Sequence, residues 1–193
     1  MTTRFVEVDD MKVRLRVTHS NDDDYIDSLI QAHTAVIQNW VGRTIVSTTF
    51  SETHDVGFRQ VAVFLKEYPI ISIAGCTSHS TAMVEDTDYY ADYNTGVLKK
   101  APVDAISVLD YQKDYWYEGL SEFSITYTAG YATIPIAIQE ATIKLVQREY
   151  WDIGAGDVKI RRQGTDHIER FPMKDGVPEN VFALLHPYRR QFQ

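Results

Sequence analysis

The sequence predicts an α+β protein: an antiparallel helical core of two long helices and short terminal helices, a β-rich insertion between the long helices, and an extended C-terminal arm. Three observations carry this. Residues 20–42, and again the segment opening at Pro135, repeat apolar side chains at spacings of three and four, the stripe of an amphipathic helix. Residues 44–130 are instead rich in Thr, Val, Ile and Tyr with turn residues at short intervals, which reads as a run of short strands. Neither long helix has a partner adjacent in sequence. Pairing across the insertion buries both stripes, unless they face neighbouring subunits. The expected division is a main domain over 1–157, with the insertion at about 44–130, and an arm over 158–193 ending in a short helix.

The elements follow in order. Residues 11–17 are ambiguous: Val13, Leu15 and Val17 alternate as in a strand, whereas Asp9 or Asp10 could cap one or two helical turns. Ser20 or Asn21 is the expected cap of the first long helix, with Asp22, Asp23 and Asp24 in its first turn. Its stripe is Ile26, Leu29, Ile30, His33, Val36, Ile37, Trp40 and Val41, and Gly42 closes it. Strands are expected at 44–51, 61–66, 71–78, 89–93, 96–99 and 122–128, with a hairpin turn at Asn94-Thr95-Gly96 and a break or edge at Pro69. Residues 110–119, with Tyr111, Tyr115, Trp116 and Tyr117, read as an exposed aromatic loop. Pro135 suits the first position of the second long helix. Its inner face is Ile138, Ala141, Thr142, Leu145, Val146, Glu149 and Tyr150, and Gly154-Ala155-Gly156 ends it. A strand is possible within 158–171, a turn at Lys174-Asp175-Gly176, and a helix over 178–185 that stops before Pro187.

The 193 residues are 44% hydrophobic and 24% charged, an ordinary globular balance. No run of 18 apolar residues occurs and the start is acidic, so neither a membrane span nor a secretory signal is expected. The net charge is −8, with 19 basic and 27 acidic groups. Residues 44–130 hold five basic and twelve acidic groups, net −7, and residues 158–193 hold seven and four, net +3. An acidic centre argues against a DNA-gripping face, which needs clustered cations. A basic tail suits an acidic partner surface, and an extended segment such as 158–162 could add a strand to a partner's sheet.

Chemistry is sparse. Cys76 is the single cysteine, which excludes an internal disulfide framework and suits a buried, inert thiol. The six histidines (His19, His33, His54, His79, His167, His186) show no metal-ligand spacing. His33, on an apolar face, reads as a satisfied or interfacial histidine. Asp22-Asp23-Asp24 and Glu85-Asp86-Thr87-Asp88 could attract a cation, but a solvated helix start and a loop explain them more simply. Gly154-Ala155-Gly156 follows a helix and so cannot aim amides at phosphate. No cofactor is expected. The alternative function is a small cytoplasmic hydrolase whose scattered His and Asp residues converge in the fold.

A wider pattern joins these pieces. Met11–Val17, then Asn21-Asp22-Asp23-Asp24, Leu29-Ile30-Gln31-Ala32-His33 and Val41-Gly42-Arg43-Thr44 come first. Tyr68-Pro69-Ile70-Ile71-Ser72-Ile73, Ile125-Thr126-Tyr127-Thr128-Ala129-Gly130-Tyr131, Pro135-Ile136-Ala137-Ile138-Gln139-Glu140-Ala141 and Glu149-Tyr150-Trp151 follow, and Val181–Arg190 closes the chain. In this order and spacing the sequence resembles the head–tail connector (adaptor) proteins of tailed bacteriophages. The resemblance implies a structural virion protein of the neck, made in the host cytoplasm. It implies a homo-oligomeric, twelvefold ring under the portal that extends the DNA channel and offers a platform to the next neck or tail-completion protein. DNA would pass without sequence-specific binding. The arm would reach the portal protein, with Lys159, Arg161, Arg162, Arg170, Tyr188, Arg189 and Arg190 as contact candidates. Ile26, Leu29, Ile30, His33, Ile37, Trp40, Ile138, Leu145 and Tyr150 are the candidates for core or subunit interface.

Overall fold

In a computed structural model the chain divides into two compact units, a helical one (1–43 with 134–192) and a β one (44–133). The residues described are 4–101, 115–151, 160–163, 166–169, 173–174 and 177–190. Both helices and antiparallel sheets are present, so the class is α+β.

The helical unit begins with α1 (Val8–Leu15), which settles the ambiguity of residues 11–17 in favour of helix: Met11 and Leu15, one turn apart, are both buried. Arg16 then takes a left-handed conformation and ends it. Next, α2 (Asp23–Val41) starts at Asp22, not at the expected Ser20 or Asn21, and Asp22 makes no side-chain capping bond. Its carboxylate is engaged elsewhere, accepting a 2.7 Å hydrogen bond from the Tyr150 hydroxyl. Gly42 closes the helix in the left-handed region at φ +74, donating its N–H to the Gln38 carbonyl. The stripe residues Ile26, Leu29, Ile30 and Ile37 are buried. Helix α3 (Ile136–Trp151) follows Pro135 and buries Ile138, Leu145 and Tyr150. The expected stop at Gly154-Ala155-Gly156 lies outside the described residues.

The β unit has a four-stranded sheet in the order β1-β7-β3-β4 and a three-stranded sheet in the order β2-β6-β5, all pairs antiparallel. The strands are β1 (Thr48–Val56), β2 (Ala62–Phe64), β3 (Ile70–Ser78), β4 (Thr81–Ala82), β5 (Tyr89–Asp92), β6 (Val97–Lys100) and β7 (Gly119–Ala129). The centre is β7, where Phe123, Ile125, Tyr127 and Ala129 point inward to a core shared with Val56, Val63, Leu65, Ile70, Cys76, Tyr89 and Leu98. The first strand begins four residues later than expected. Residues 45–47 instead bond to Tyr131: its N–H donates to the Ile45 carbonyl and its carbonyl accepts from the Ser47 N–H. This draws together the two points where the chain enters and leaves the unit. Gly130 sits between them at φ +108, and a Cβ there would lie 2.8 Å from the Val46 carbonyl oxygen. The expected hairpin turn at 94–96 joins β5 to β6, with Asp92 accepting from the N–H groups of Asn94 and Thr95.

The aromatic loop expected at 110–119 needs correction where it is described. Trp116 is buried, edge-on to Phe123 at 4.8 Å, because its backbone N–H is tied to the Gln60 carbonyl and its ring fills the space beside Tyr89. Tyr117 is exposed and stacks on His79. Tyr111 lies outside the described residues.

The chain's last third belongs with the helical unit. Strands β8 (Ile160–Gln163) and β9 (Asp166–Glu169) pair as a ribbon, and β10 (Met173–Lys174) pairs with β11 (Val177–Pro178); the expected turn at 174–176 falls mostly outside the described residues. Helix α4 (Glu179–Leu185) continues into a 3-10 turn, His186–Tyr188. Val177, Val181 and Leu185 are buried, and Phe182 packs edge-on against Trp40 of α2 at 4.8 Å. Read from the sequence as part of an arm, this final helix is core of the helical unit. Leu185→Ala is therefore expected to cost the helical unit about 2–5 kcal/mol, measured by denaturant unfolding monitored through the α-helical signal. A cost under about 0.5 kcal/mol, the range of surface positions, would mean that α4 is not core.

Candidate assembly surfaces

Three of the four aspartates near the start of α2, Asp22, Asp23 and Asp27, tie it to other parts of the helical unit. Asp22 accepts from Tyr150 of α3, Asp23 lies 2.7 Å from the Lys12 ammonium of α1, and Asp27 is bridged by the Arg4 guanidinium at 2.7 Å. Their charges also suit the positive end of the helix dipole. Arg14 of α1 pairs with Glu140 of α3 at 2.7 Å. His33, half-buried on α2, has its Nε2 2.8 Å from the Glu149 carboxylate of α3. Burial lowers the His33 pKa, opposed by the charge of Glu149.

At the other end of α2 the chain terminus forms a clasp. The Arg190 N–H donates to the Val41 carbonyl at 2.8 Å, and the buried Arg43 donates through Nε to the Tyr188 carbonyl at 2.8 Å. The Arg189 guanidinium lies over the Trp40 ring at 5.1 Å, within cation–π range. The last turn of α2 has no basic residue of its own, so these arginines supply the cations that its dipole favours. Of the arm candidates, Tyr188, Arg189 and Arg190 are thus anchored on α2, with both arginines exposed to solvent. Arg161 and Arg162 fall on β8, and Lys159 and Arg170 lie outside the described residues. Residues 160–163 are strand as expected, but paired within their own chain to β9.

The β unit holds a polar network that the sequence did not advertise. Glu52 and His54 alternate on the inward face of β1. The Glu52 carboxylate, nearly out of solvent, takes a 2.5 Å hydrogen bond from the Tyr127 hydroxyl, sits 2.8 Å from His54 Nε2, and accepts from the Lys66 N–H. Burial pushes the Glu52 pKa up, but the bonds from His54, Tyr127 and Lys66 outweigh it and hold the carboxyl below its ordinary range. Tyr127 is pushed well above its ordinary value by burial and by Glu52. The sequence signal was a polar pair, Glu52 and His54, at strand spacing; in the register Glu52 faces Ile125, and the Tyr127 hydroxyl reaches it diagonally.

The outer face of the same sheet is paved with hydroxyls. Thr49 faces Thr128 at 3.2 Å and Ser51 faces Thr126 at 3.0 Å, with Ser72 paired to Thr128 and Thr77 to Ser124. Cys76 is buried, its thiol pushed up to about 12 by desolvation, which suits the inert thiol expected. Five of the six histidines have described side chains, and these stay apart: His19 lies beside Asp22, His33 beside Glu149, His54 beside Glu52 and His79 beside Glu122, while His186 lies against Phe182. Among the described residues no three His, Cys, Asp or Glu side chains are placed to hold a metal ion, and no helix is long and apolar enough to cross a membrane. Large apolar side chains missed by the stripes stand in solvent, notably Val13, Ile136 and Trp151 on the helical unit and Phe58 and Leu120 on the β unit.

Ties spent on holding elements together, with apolar and basic groups left outside, define a building block for an assembly. Comparison with known proteins agrees. A family model described as head completion protein matches residues 4–191, and the chain belongs to that family; it is a structural protein and not an enzyme. Solved structures share the fold. A chain from the neck of an empty gene transfer agent (GTA) particle, computed with C6 symmetry, is 15% identical with a TM-score of 0.59, covering 98% of this chain and 91% of that one. A chain from the virion of a native GTA particle is 16% identical with a TM-score of 0.57 and the same coverage. A chain from the neck of a native GTA particle, computed with C12 symmetry, is 15% identical with a TM-score of 0.53, covering 100% and 97%. No curated protein matches the chain.

The Glu52 network makes a pH prediction. Its folded pKa lies below the unfolded value of about 4.3, so its stabilisation is complete above that value and is lost as pH falls through the folded pKa. Glu52→Gln should lower stability at pH 7 and flatten the loss of stability between neutral and acid pH, followed by urea unfolding at stepped pH. An acid slope identical to wild type would remove Glu52 from the account.

Proposed function

We propose that this chain forms a ring in the neck of a phage-like particle, under the portal, where it joins head to tail and continues the DNA channel. The observation that carries this reading is the match of the head completion family over both units and the closing helix. The C6 and C12 symmetry of the GTA necks, whose chains share this fold, supports a ring of six- or twelvefold order, and the proposed ring has twelve copies. In that ring α2 and α3 serve as the antiparallel core of each subunit, and the exposed Val13, Ile136 and Trp151 serve contacts between neighbours.

The partners follow from charge. Residues 158–193 have a net charge of +3 and meet an acidic portal surface through Lys159, Arg161, Arg162, Arg170, Tyr188, Arg189 and Arg190, while the closing helix among them stays in the helical core. The next neck or tail-completion protein takes the opposite side. The β unit has net charge −7 over 44–130 and a sheet face bearing Ser and Thr hydroxyls, so a channel wall built from it offers phosphates little counter-charge and lets DNA slide.

Deleting 158–193 would be a poor test, because it strips Val181 and Leu185 from the helical core. Reversing charge is cleaner. Arg161→Glu, Arg162→Glu and Arg170→Glu together should leave the far-ultraviolet circular dichroism and thermal midpoint unchanged, while co-sedimentation with portal falls at least about tenfold at physiological salt, the cost of like charges at a rim. Undiminished co-sedimentation would show that the arm does not meet the portal.

A further inference from the structure

We propose that the free edge of β1 in one copy of this chain receives β8 of a neighbouring copy, so that main-chain strand addition links subunit to subunit. The inference deepens the ring reading above and rests on it.

The first observation is an unguarded edge. Strand β1 ends its sheet, pairing with β7 on one side, and among the described residues no strand pairs with the other. Its register against β7 is regular from Thr48 to His54, and the irregularity comes only between His54 and Val56. Proteins blunt such edges with Pro, Lys, bulges, covering loops or inward charges, since an unpaired row of N–H and C=O groups invites another chain. Strand β1 has neither Pro nor Lys. Its inward charge, Glu52, is already nearly out of solvent and bonded to Tyr127 and Lys66, so a further strand would strand no new charge.

The opposite edge of the sheet is managed. Strand β3 shifts register twice, Ile70 donates to the Tyr93 carbonyl, Met83 donates to the Cys76 carbonyl, and β4 covers Thr77 and Ser78. The contrast marks β1 as the edge left open.

The second observation is a ribbon that, among the described residues, joins no larger sheet. Strands β8 and β9, four residues each, form a two-stranded sheet of their own. An isolated ribbon of that size is marginal in water and gains from a third strand. Charge selects which of its strands meets β1. The β unit is strongly acidic, β8 contains Arg161 and Arg162, and β9 contains Asp166 and Glu169. Edge and ribbon are different surfaces, so the contact is head-to-tail, the kind that closes a ring when the rotation allows.

The test uses the full chain and its single, buried native thiol. Thr49→Cys, Ser51→Cys and Thr53→Cys are each combined with Arg161→Cys or Arg162→Cys and oxidised at high protein concentration. At least one pairing should give a ladder of disulfide-linked oligomers on non-reducing gels, while each single variant stops at dimers. In the wild type, amide exchange of 48–54 should slow about tenfold or more on concentration, with residues 70–76 unchanged. Rings in native mass spectrometry without ladder or protection would overturn strand addition and leave the ring reading standing. A chain that stays monomeric at every concentration would overturn strand addition as the contact between copies, and the portal assay would then judge the ring. Protection of 48–54 only on adding portal would replace the second copy with a portal strand and so overturn the proposal.

Discussion

The last carbonyls of a helix have no partner within it, and at the end of α2 that constraint is met from the far end of the sequence. Gly42 turns the chain and satisfies the Gln38 carbonyl, while Arg190 reaches back to the Val41 carbonyl and Arg43 takes the Tyr188 carbonyl. Trp40 is held between Phe182 and Arg189. One helix end thereby gathers residues 40–43 and 182–190 into one unit, although a whole β unit and a third helix intervene in sequence. The insertion makes its own closure, through Ile45, Ser47 and Tyr131 with Gly130 between them. The helical unit can therefore keep its core while the β unit carries a different surface.

That separation suits a neck component. The helical unit contributes aspartate and arginine ties and ends in exposed Arg189 and Arg190. The β unit contributes acidity, a hydroxyl face and, among the described residues, a strand edge without a partner strand. Its buried Glu52–Tyr127 tie fixes β1 to the sheet from the inside, which is what an edge needs if it is to be presented rigidly. No step in this account requires a reaction: each surface acts by charge, shape or main-chain pairing.

Much of this was legible in the sequence because it was periodic or punctuated. The stripes of α2 and α3, Gly42 as a stop, Pro135 as a start and Asn94-Thr95-Gly96 as a turn all act locally, and local rules find them. What failed was non-local. The cap position of α2 is Asp22, and its side chain makes no capping bond because Tyr150, 128 residues away, uses its carboxylate. Trp116 went inside because Phe123 and Gln60 receive it, whereas its neighbours Tyr115, Tyr117 and Glu118 look like loop. The closing helix read as arm because its burial depends on Trp40. The Glu52 network was hidden because a glutamate in a strand is ordinarily a solvated residue, and nothing near it in sequence announces the Tyr127 hydroxyl. Of the site candidates, the apolar ones were legible as burial, and the basic ones only as charge.

The central claim is that this chain is a ring component between portal and tail. The most direct measurement is a cryo-electron microscopy reconstruction of the particle's neck, into which the helical and β units are fitted separately. The account predicts a closed ring of density for this chain directly below the portal, with 158–193 on the portal side and the DNA path through its centre. A neck reconstruction in which no density fits either unit, or in which the chain sits away from the portal, would contradict it.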